Sequence, residues 1–405
     1  MRADATSAVW IKLTEFLKTL LLKPGVQDLF AALSPLPAWL VGGCVRDALL
    51  GADNFDVDVA VAADPQTVTH QLRQKNIKVI PTGLQFGTVT AVVEHQPFQI
   101  TSLRKDRNHQ GRHPKVVFST DLKEDANRRD FTINALYLDP HGNLYDPFDG
   151  IQDLKAGKIR FIGDPKQRVL EDALRILRYY RFVAWYGKPP YPSVPVLRLL
   201  KQCLKQLSTE RIQAELLKLF TAQNPIEAVF LMEQDGILET LFGPSYDVQN
   251  LERFLSLEQK FLVKADPFVR LEALFYQAPL YFYQTYWRLS RFQIRFLDTL
   301  KKVTVMKDRR WILYHYGLDI FIKGRLLIAA AKKQDETLQD DLLWARSITI
   351  PSFPLSGKDL LKQGMATGSQ IGLLLAACQQ WWVEHDFIPD HQECLDYCAG
   401  IKKAL

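Results

Sequence analysis

The spacing of hydrophobic positions along this chain changes near residue 165. Between residues 39 and 162, short stretches alternate apolar and polar residues, which is the period of half-buried strands, and helical segments separate them. From residue 165 onward, apolar positions recur every three or four residues, as they do on amphipathic helices. The pattern therefore predicts an α+β fold class, with a mixed sheet and helices at the front and an all-α part behind it.

Turn and helix signals divide the front part into elements. Asp64 followed by Pro65 marks the start of a helix. A turn at His95-Gln96 predicts one hairpin, and a turn at residues 140–143 predicts a second. The predicted strands cover residues 39–41, 55–61, 77–80, 86–93 and 97–103.

A continuous helix is predicted over residues 164–182. Asp164 is a favourable N-cap, and Pro165 suits the first turn because it has no N–H to satisfy there. Apolar residues at helical spacing then define the face that packs on the core. The predicted buried stripe consists of Leu170, Leu174 and Leu177.

Composition narrows the class of protein only slightly. The 405 residues are 47% hydrophobic and 24% charged, which is ordinary for a globular protein and enough for two or more packed domains. The formal net charge of +6 permits a polyanionic partner without requiring one. The five cysteines form no C-x-x-C pair, which argues against a disulfide framework and a zinc site. Cys394 and Cys398 lie one helical turn apart and are predicted to be core thiols.

The first 24 residues contain a short apolar run that charged residues interrupt. Lys12, Glu15 and Lys18 break the run at helical spacing. This pattern predicts an amphipathic helix rather than a signal peptide or a membrane span. We therefore expect a cytoplasmic protein without a membrane partner.

Two aspartates on a predicted strand are the first candidate for chemistry. Asp56 and Asp58 are two residues apart, so both carboxylates leave the same face of the strand. Two like charges side by side are costly unless divalent cations bridge them, and hard oxygen ligands of this kind suit Mg²⁺. A solvated polar face of the strand is the alternative explanation for the pair taken alone.

A Gly-Gly turn upstream of these aspartates predicts a phosphate site. Gly42 and Gly43 allow backbone N–H groups to approach an anion at a helix N-terminus, and Arg46 follows one turn later to meet triphosphate oxygens. The segment has neither the dinucleotide-binding nor the P-loop motif. Beside Asp56 and Asp58, it predicts a metal-assisted site for attack of a hydroxyl on an α-phosphate.

The run over residues 40–58 resembles the signature of the polymerase-β-type nucleotidyltransferases, in the branch that holds class II CCA-adding tRNA enzymes and bacterial poly(A) polymerases. Residues 124–136 resemble the second motif of that family. The resemblance implies that Arg129, Asp130 and Asn134 contact the ribose and phosphates of the nucleotide. A capped surface helix is the alternative for this segment.

The predicted helix over residues 164–182 carries the family's E-D-x-x-R motif, which Glu171, Asp172 and Arg175 match residue by residue. A carboxylate beside a guanidinium offers acceptors and donors that imitate a base edge. The resemblance therefore implies that these side chains select C and then A. Arg178 and Arg181 are expected to bind nucleotide phosphate or to support the pair. On a purely structural helix, the same charges would form weak surface pairs of roughly 0.2–0.5 kcal/mol each.

One strand departs from the family pattern. Gln99 stands where many relatives carry an acidic residue, which leaves open whether a third acid contributes to the metal site. Arg104, Asp106 and Arg112 lie before the second motif, where the family has a mobile loop needed for the switch to adding A. Presence of that loop argues against an enzyme that adds only C.

The resemblance covers most of the chain and implies its organisation and activity. It implies an enzyme that adds C, C and A to the tRNA 3′ end from CTP and ATP by two-metal nucleotidyl transfer. Mg²⁺ is the implied cofactor, and neither a template nor an obligate protein partner is implied. The implied segments are an N-terminal amphipathic helix (1–25), the nucleotidyltransferase head (26–150), a neck that selects the nucleotide (151–222), a helical body (223–310) and a helical tail that binds tRNA (311–405).

Two other functions stay open from the sequence. A poly(A) polymerase or A-adding enzyme of the same family shares the head and neck, although this C-terminus lacks the basic run typical of the poly(A) branch. A non-catalytic RNA-binding protein on a decayed head belongs to a different class. The presence of Asp56, Asp58 and Arg46 weighs against that alternative.

Overall fold

The computed structural model describes residues 15–52, 56–107, 115–191, 194–276, 278–364 and 369–404. These residues group into two units. The first unit takes in residues up to 219 together with 227–241, and the second takes in 220–226 together with 242–405. Within the described ranges, no helix is both long enough and apolar enough to cross a bilayer.

The alternating stretches of the front part form a seven-stranded mixed sheet, which confirms the predicted fold class. Its strand order is β3-β4-β5-β2-β1-β8-β9, with β2 and β5 parallel and the other neighbours antiparallel. A separate antiparallel pair, β6 and β7, follows the sheet. The strands are β1 (Ala38–Val41), β2 (Asp58–Val61), β3 (Lys78–Gly83), β4 (Thr88–Val93), β5 (Gln96–Ser102), β6 (Arg104–Arg107), β7 (Lys115–Phe118), β8 (Tyr137–Leu138) and β9 (Leu144–Tyr145).

Helices accompany the sheet and then continue as a nearly unbroken series. Asp64 caps the helix Pro65–Gln74 as predicted, because its carboxylate accepts the N–H groups of Gln66 and Thr67. The helices up to residue 242 are α1 (residues 15–21), α2 (Val26–Leu33), α3 (Gly43–Leu49), α4 (Pro65–Gln74), α5 (Leu122–Asn127), α6 (Gly150–Ala156), α7 (Pro165–Glu171), α8 (Leu174–Tyr186), α9 (Pro195–Leu199), α10 (Thr209–Phe220), α11 (Ile226–Gln234) and α12 (Ile237–Phe242).

The second unit is helical in its described residues after residue 242, and its last two helices enclose a small core. Cys378, Cys394 and Cys398 are free, buried thiols in that core, together with Trp382, which confirms the prediction for Cys394 and Cys398. Its helices are α13 (Val248–Lys260), α14 (Pro267–Leu274), α15 (Leu280–Tyr286), α16 (Arg291–Val305), α17 (Arg309–Lys332), α18 (Leu338–Ser347), α19 (Gly357–Lys362), α20 (Ser369–Glu384) and α21 (His391–Ala404).

Strand β2 begins later than predicted. It starts at Asp58, and Asp56 lies in the segment before it, so the prediction that both aspartates belong to one strand is wrong. Its parallel pairing with β5 starts opposite Gln99. Continued by two residues, the same register would set Asp56 against Pro97, which has no N–H to donate to a ladder.

The continuous helix predicted over residues 164–182 is also wrong. The chain leaves the helical conformation at Asp172, with φ −155° and ψ 106°, and α8 begins two residues later. The Asp172 carboxylate accepts the N–H of Leu174 at 3.1 Å. Short acidic side chains offer the backbone such local bonds in competition with the helix, which explains the break. Leu170 is consequently 60% exposed, whereas Leu174 and Leu177 are buried as predicted.

Candidate active site

The Gly-Gly turn lies where the buried strand β1 ends and α3 begins. Gly42 has φ 73° and ψ −122°, a conformation that L-residues with side chains rarely adopt. A Cβ atom at this position would lie 3.2 Å from Nη1 of Arg129 and 3.6 Å from the carbonyl oxygen of Asn134. Gly43 is the first residue of α3. Glycine at position 42 therefore brings the turn against the second motif.

Asp58 opens β2 in the same sheet, directly beside β1. Burial raises the pKa of Asp58, the charge of Arg129 lowers it, and the charge of Asp56 raises it again. Asp56 itself is exposed. These influences show that the two carboxylates and Arg129 share one electrostatic environment, although Asp56 precedes the strand.

Arg129 owes its position to Asp125, a residue that the sequence reasoning did not single out. The buried Asp125 carboxylate accepts the guanidinium of Arg129 at 3.1 Å, that of Arg128 at 2.7 Å and the hydroxyl of Tyr137 at 2.8 Å. Burial opposes ionisation of Asp125, but Arg129 and Arg128 outweigh it and hold its pKa below the usual value. The i,i+3 and i,i+4 spacing of Asp125 to the two arginines is a signal that the sequence does contain.

Arg46 is buried beneath the turn, and its guanidinium nitrogens are all engaged. Its Nε and Nη2 donate to Asp47 at 2.8 and 2.9 Å, and its Nη1 donates to the amide oxygen of Asn134 at 2.5 Å. The guanidinium carbon lies 4.3 Å from the centre of the Tyr186 ring, and the Tyr186 hydroxyl donates to Asp47 at 2.9 Å. Helices α3 and α8 are joined through this group.

A second chain of polar contacts continues from Asn134 into α8. The Asn134 amide donates to Asp130 at 2.9 Å, and Arg178 donates to the other oxygen of Asp130 through Nε at 2.6 Å. Burial opposes ionisation of Asp130, but Arg178 and Asn134 lower its pKa overall. Glu215 on α10 then accepts Arg181 at 2.6 Å and lies 3.7 Å from Arg178. The second motif, α8 and α10 are thereby connected by alternating charges.

Within the E-D-x-x-R motif, Arg175 pairs with Glu171, whereas Asp172 has a different partner. Nη1 of Arg175 donates to Glu171 at 2.5 Å and to the carbonyl of Arg168 at 3.0 Å. Asp172 instead accepts Arg211 of α10 at 2.8 Å. In the described structure, no side-chain hydrogen bond or ion pair joins Asp172 to Arg175, although the backbone N–H of Arg175 donates to the carbonyl oxygen of Asp172 at 3.0 Å. The sequence analysis singled out neither Arg211 nor Glu215, which both lie on α10.

The predicted mobile loop is only partly covered by the structure. Arg104 and Asp106 lie on β6, which pairs with β7. The backbone N–H of Arg104 approaches the Asp125 carboxylate at 3.4 Å. Arg112 lies outside the described residues, so the role of the loop stays a prediction. Gln99 is exposed on β5 opposite Asp58, so an amide, not a third carboxylate, adjoins that residue in the sheet.

Two family models match this chain, one over the part that contains the sheet and one over helices that follow it. Residues 38–160 match the family model described as the poly A polymerase head domain. Residues 196–249 match the model described as the probable RNA- and SrmB-binding site of polymerase A. The first match contains the Gly-Gly turn, both aspartates and the second motif, and the second contains Arg211 and Glu215.

Two curated relatives match over most of their length. The chain is 33% identical over 386 residues to the mitochondrial CCA tRNA nucleotidyltransferase 1 of Mus musculus, which covers 90% of this chain and 86% of the relative. It is 30% identical over 358 residues to the CCA-adding enzyme of Levilactobacillus brevis, which covers 84% of this chain and 87% of the relative.

Solved structures show the same fold. The CCA-adding enzyme of Bacillus stearothermophilus in complex with CTP superposes with a TM-score of 0.70 at 25% identity, over 89% of this chain and 93% of that one. The Thermotoga maritima CCA-adding enzyme, complexed with a tRNA, has a TM-score of 0.67 at 20% identity, over 98% and 99% of the two chains. At that identity, the second likeness concerns the fold alone.

Proposed function

The chain belongs to the CCA tRNA nucleotidyltransferase family, and on that premise we propose that it adds C, C and A to the 3′ end of tRNA from CTP and ATP without a nucleic-acid template. It is a nucleotidyltransferase. The observation that carries the proposal is that Arg129, which lies against the Gly42 turn, and Asp56 both act electrostatically on Asp58. Relatives crystallised with CTP, with ATP and with tRNA support the choice of substrates.

The carboxylates of Asp56 and Asp58 fit a divalent cation. The charge of Asp56 disfavours ionisation of Asp58, a repulsion that a bound cation would relieve. Among the described residues, no cluster of three or more His, Cys, Asp or Glu side chains forms a metal site by itself. Two carboxylates suit Mg²⁺, because Mg²⁺ usually completes its coordination with water and substrate phosphates. When bound, Mg²⁺ would lower the pKa of the RNA 3′ hydroxyl and stabilise the leaving pyrophosphate.

The residues around the Gly-Gly turn would bind the ribose and triphosphate of the incoming nucleotide. Backbone N–H groups at Gly42 and Gly43 and the guanidinium of Arg129 provide donors for phosphate oxygens. Arg46 is engaged with Asp47 and Asn134. Its contribution to nucleotide binding therefore acts through Asn134, which it holds beside Asp130.

Asp172 and Arg175 would read the base, supported by α8 and α10. A base edge needs one acceptor and one set of donors presented together. Glu171 fixes the Arg175 guanidinium at 2.5 Å, which orients its remaining donors. The Asp172–Arg211 pair is more exposed, with side chains 34% and 47% accessible, so the Asp172 carboxylate exchanges partners at little energetic cost. Arg178 pairs with Asp130, and Arg181 pairs with Glu215. Through these ion pairs the two arginines would support the base-reading residues.

A single incorporation experiment separates the candidate functions. The purified protein is incubated with Mg²⁺, a tRNA transcript that ends before CCA, and labelled CTP or ATP, separately and together. Addition of two C residues and one A supports the proposal. Long A tracts would assign the chain to poly(A) synthesis. This is the second candidate function, because residues 38–160 match the poly A polymerase head domain. No incorporation would favour a non-catalytic RNA-binding protein.

A further inference from the structure

The ring of Phe182 lies among three arginines in the first unit. The guanidinium carbons of Arg181, Arg46 and Arg178 lie 4.2, 5.3 and 5.4 Å from the centre of this ring. Phe182 is 2% exposed and belongs to α8, as do Arg178 and Arg181, whereas Arg46 belongs to α3. A guanidinium within about 6 Å of an aromatic ring centre is attracted to the negative face of the ring, most strongly where water is excluded. One buried ring therefore attracts cations from two helices.

The three cations repel one another at this depth in the protein. Burial lowers the pKa of Arg181, the charge of Glu215 raises it, and the charges of Arg178 and Arg46 lower it further. Each arginine has a carboxylate partner of its own, and the pairs are Arg46–Asp47, Arg178–Asp130 and Arg181–Glu215. These carboxylates compensate the charges one by one, whereas the ring of Phe182 is shared by all three guanidinium groups.

Two of these arginines hold side chains that the proposed function assigns to nucleotide binding. Arg46 donates to the amide oxygen of Asn134 at 2.5 Å, and Arg178 donates to the carboxylate of Asp130 at 2.6 Å. Asn134 in turn donates to Asp130 at 2.9 Å. A shift of either guanidinium would therefore turn the amide or the carboxylate that it holds. Because Phe182 attracts both guanidinium groups, the ring acts on this pair from behind.

Packing is the other role that a buried ring at this position fulfils. Phe182 packs edge-on against Phe131, with ring centres 5.2 Å apart, and against Tyr186 at 5.8 Å. Phe161 packs against the same Phe131 at 4.7 Å and is 5% exposed. Within the described part of the chain, no cation lies over the ring of Phe161. The two phenylalanines therefore share their packing partner and differ in the arginines.

From these contacts we infer that Phe182 is a positioning residue for the nucleotide substrate, a ribonucleoside triphosphate. The face of its ring keeps the guanidinium groups of Arg46 and Arg178 in place. These two arginines in turn orient Asn134 and Asp130. The inference rests on the proposed function for the identity of the ligand. Phe182 acts through the arginines and takes no part in the chemical step.

The test weakens the face of the ring while it preserves the shape of the side chain. Fluorine atoms withdraw electron density from a phenyl ring and so weaken its attraction for cations. In the full chain, Phe182 is replaced by mono-, di- and trifluorinated phenylalanine, and a matched series is made at Phe161. Binding of CTP in the presence of Mg²⁺ is measured by isothermal titration calorimetry. For the Phe182 series we expect Kd to rise with each fluorine atom, on the order of tenfold over the series. The Phe161 series should bind CTP like wild type.

Steady-state kinetics provides an independent readout. Along the Phe182 series, KM for CTP and for ATP should rise together, while KM for tRNA and kcat at saturating nucleotide stay at wild-type values. Phe182→Leu removes the aromatic face altogether and should raise KM for the nucleotides further. That substitution also alters the packing against Phe131, so the fluorinated proteins carry the test if Phe182→Leu fails to fold.

A Kd for CTP that does not change with the number of fluorine atoms on Phe182 would overturn the inference, as would equal slopes for the two series. The proposed function fails separately. If the wild type binds CTP with an affinity that depends on fluorination of Phe182 but adds no nucleotide to tRNA, the proposed function is wrong and the role of Phe182 stands. If it adds nucleotides and fluorination has no effect, the reverse holds.

Discussion

The carboxylate of Asp172 lies 2.8 Å from the guanidinium of Arg211 and forms no hydrogen bond or ion pair with Arg175 within the described structure. Helix α10 therefore holds one half of the proposed base-reading pair, while Glu171 holds the other half. The helix breaks at Asp172, between Glu171 on α7 and Arg175 on α8.

Replacement of Arg211 by Ala should impair nucleotide binding more than folding. The pair with Asp172 is partly exposed, so we expect the free energy of unfolding to change by less than about 1 kcal/mol. Without Arg211, the proposed base-reading carboxylate of Asp172 is no longer held in place. KM for both CTP and ATP should therefore rise several-fold, while KM for tRNA should stay unchanged. Steady-state kinetics of single-nucleotide addition measures this, and Arg211→Lys should recover part of the effect. A change in KM for tRNA alone would contradict the assignment.

Replacement of Arg175 by Ala should blur the choice between C and A. Arg175 supplies the donors of the proposed base-reading pair, and without them CTP and ATP differ less in the contacts that they make. The measurement is the ratio of kcat/KM for CTP to that for ATP on a transcript that ends before CCA. We expect this ratio to move toward one.

The same substitution should also destabilise the protein, because Arg175 donates to Glu171 and to the carbonyls of Arg168 and Arg128. A loss of about 1–3 kcal/mol is expected from these partly buried bonds. Arg168→Ala serves as the control, since it removes another partner of Glu171 without removing a base-reading donor. If both variants alter the ratio equally, Arg175 does not read the base.

Asp56→Ala should abolish nucleotide addition without unfolding the protein. Asp56 is exposed and precedes β2, so its removal disrupts no strand pairing and relieves repulsion with Asp58. Loss of a group that stabilises the transition state through bound Mg²⁺ should lower kcat by at least roughly a hundredfold. Chelation of divalent cations by EDTA should have the same effect on the wild type.

Thermal unfolding tests the metal assignment without reference to activity. A ligand that binds only the folded state raises its stability with ligand concentration. Added Mg²⁺ should therefore raise the Tm of the wild type more than that of Asp56→Ala. Equal shifts in Tm, or substantial activity of the variant, would remove Asp56 from the metal site.

Local features of the fold could be predicted from the sequence because neighbouring residues determine them. The Gly42-Gly43 turn, the cap at Asp64 and the burial of Cys394 and Cys398 each follow from side chains within a few positions. Strand alternation likewise predicts the mixed sheet, because the period of two reflects one buried face.

The features that sequence reasoning missed depend on partners far along the chain or on competition between similar local bonds. Arg211 lies 39 residues from Asp172, and nothing near either residue specifies that they meet. The break at Asp172 interrupts a strong helical pattern, and the bond of its carboxylate to the N–H of Leu174 competes with that pattern. Strand β2 begins late because of its pairing with β5, which local alternation does not reveal.

Asp125→Asn tests whether the position of Arg129 depends on a buried carboxylate. Arg129 and Arg128 hold the pKa of Asp125 below its usual value, so its ionised form stabilises the folded state. This stabilisation is fully present above the unfolded-state pKa and is lost as the pH falls through the lower folded-state value. At pH 7 the variant leaves two guanidinium groups without their buried partner, which should cost about 3 kcal/mol.

The difference in unfolding free energy between wild type and Asp125→Asn should therefore shrink as the pH falls below about 4. Urea denaturation at a series of pH values measures it, with the exposed Asp396→Asn as the matched control. The control should remain close to wild type at every pH. Since Arg129 also lies against the Gly42 turn, Asp125→Asn should raise KM for the nucleotide at pH 7. If the difference in unfolding free energy between wild type and Asp125→Asn stays constant with pH, Asp125 acts as a neutral hydrogen-bonding group. In that case its charge does not position Arg129.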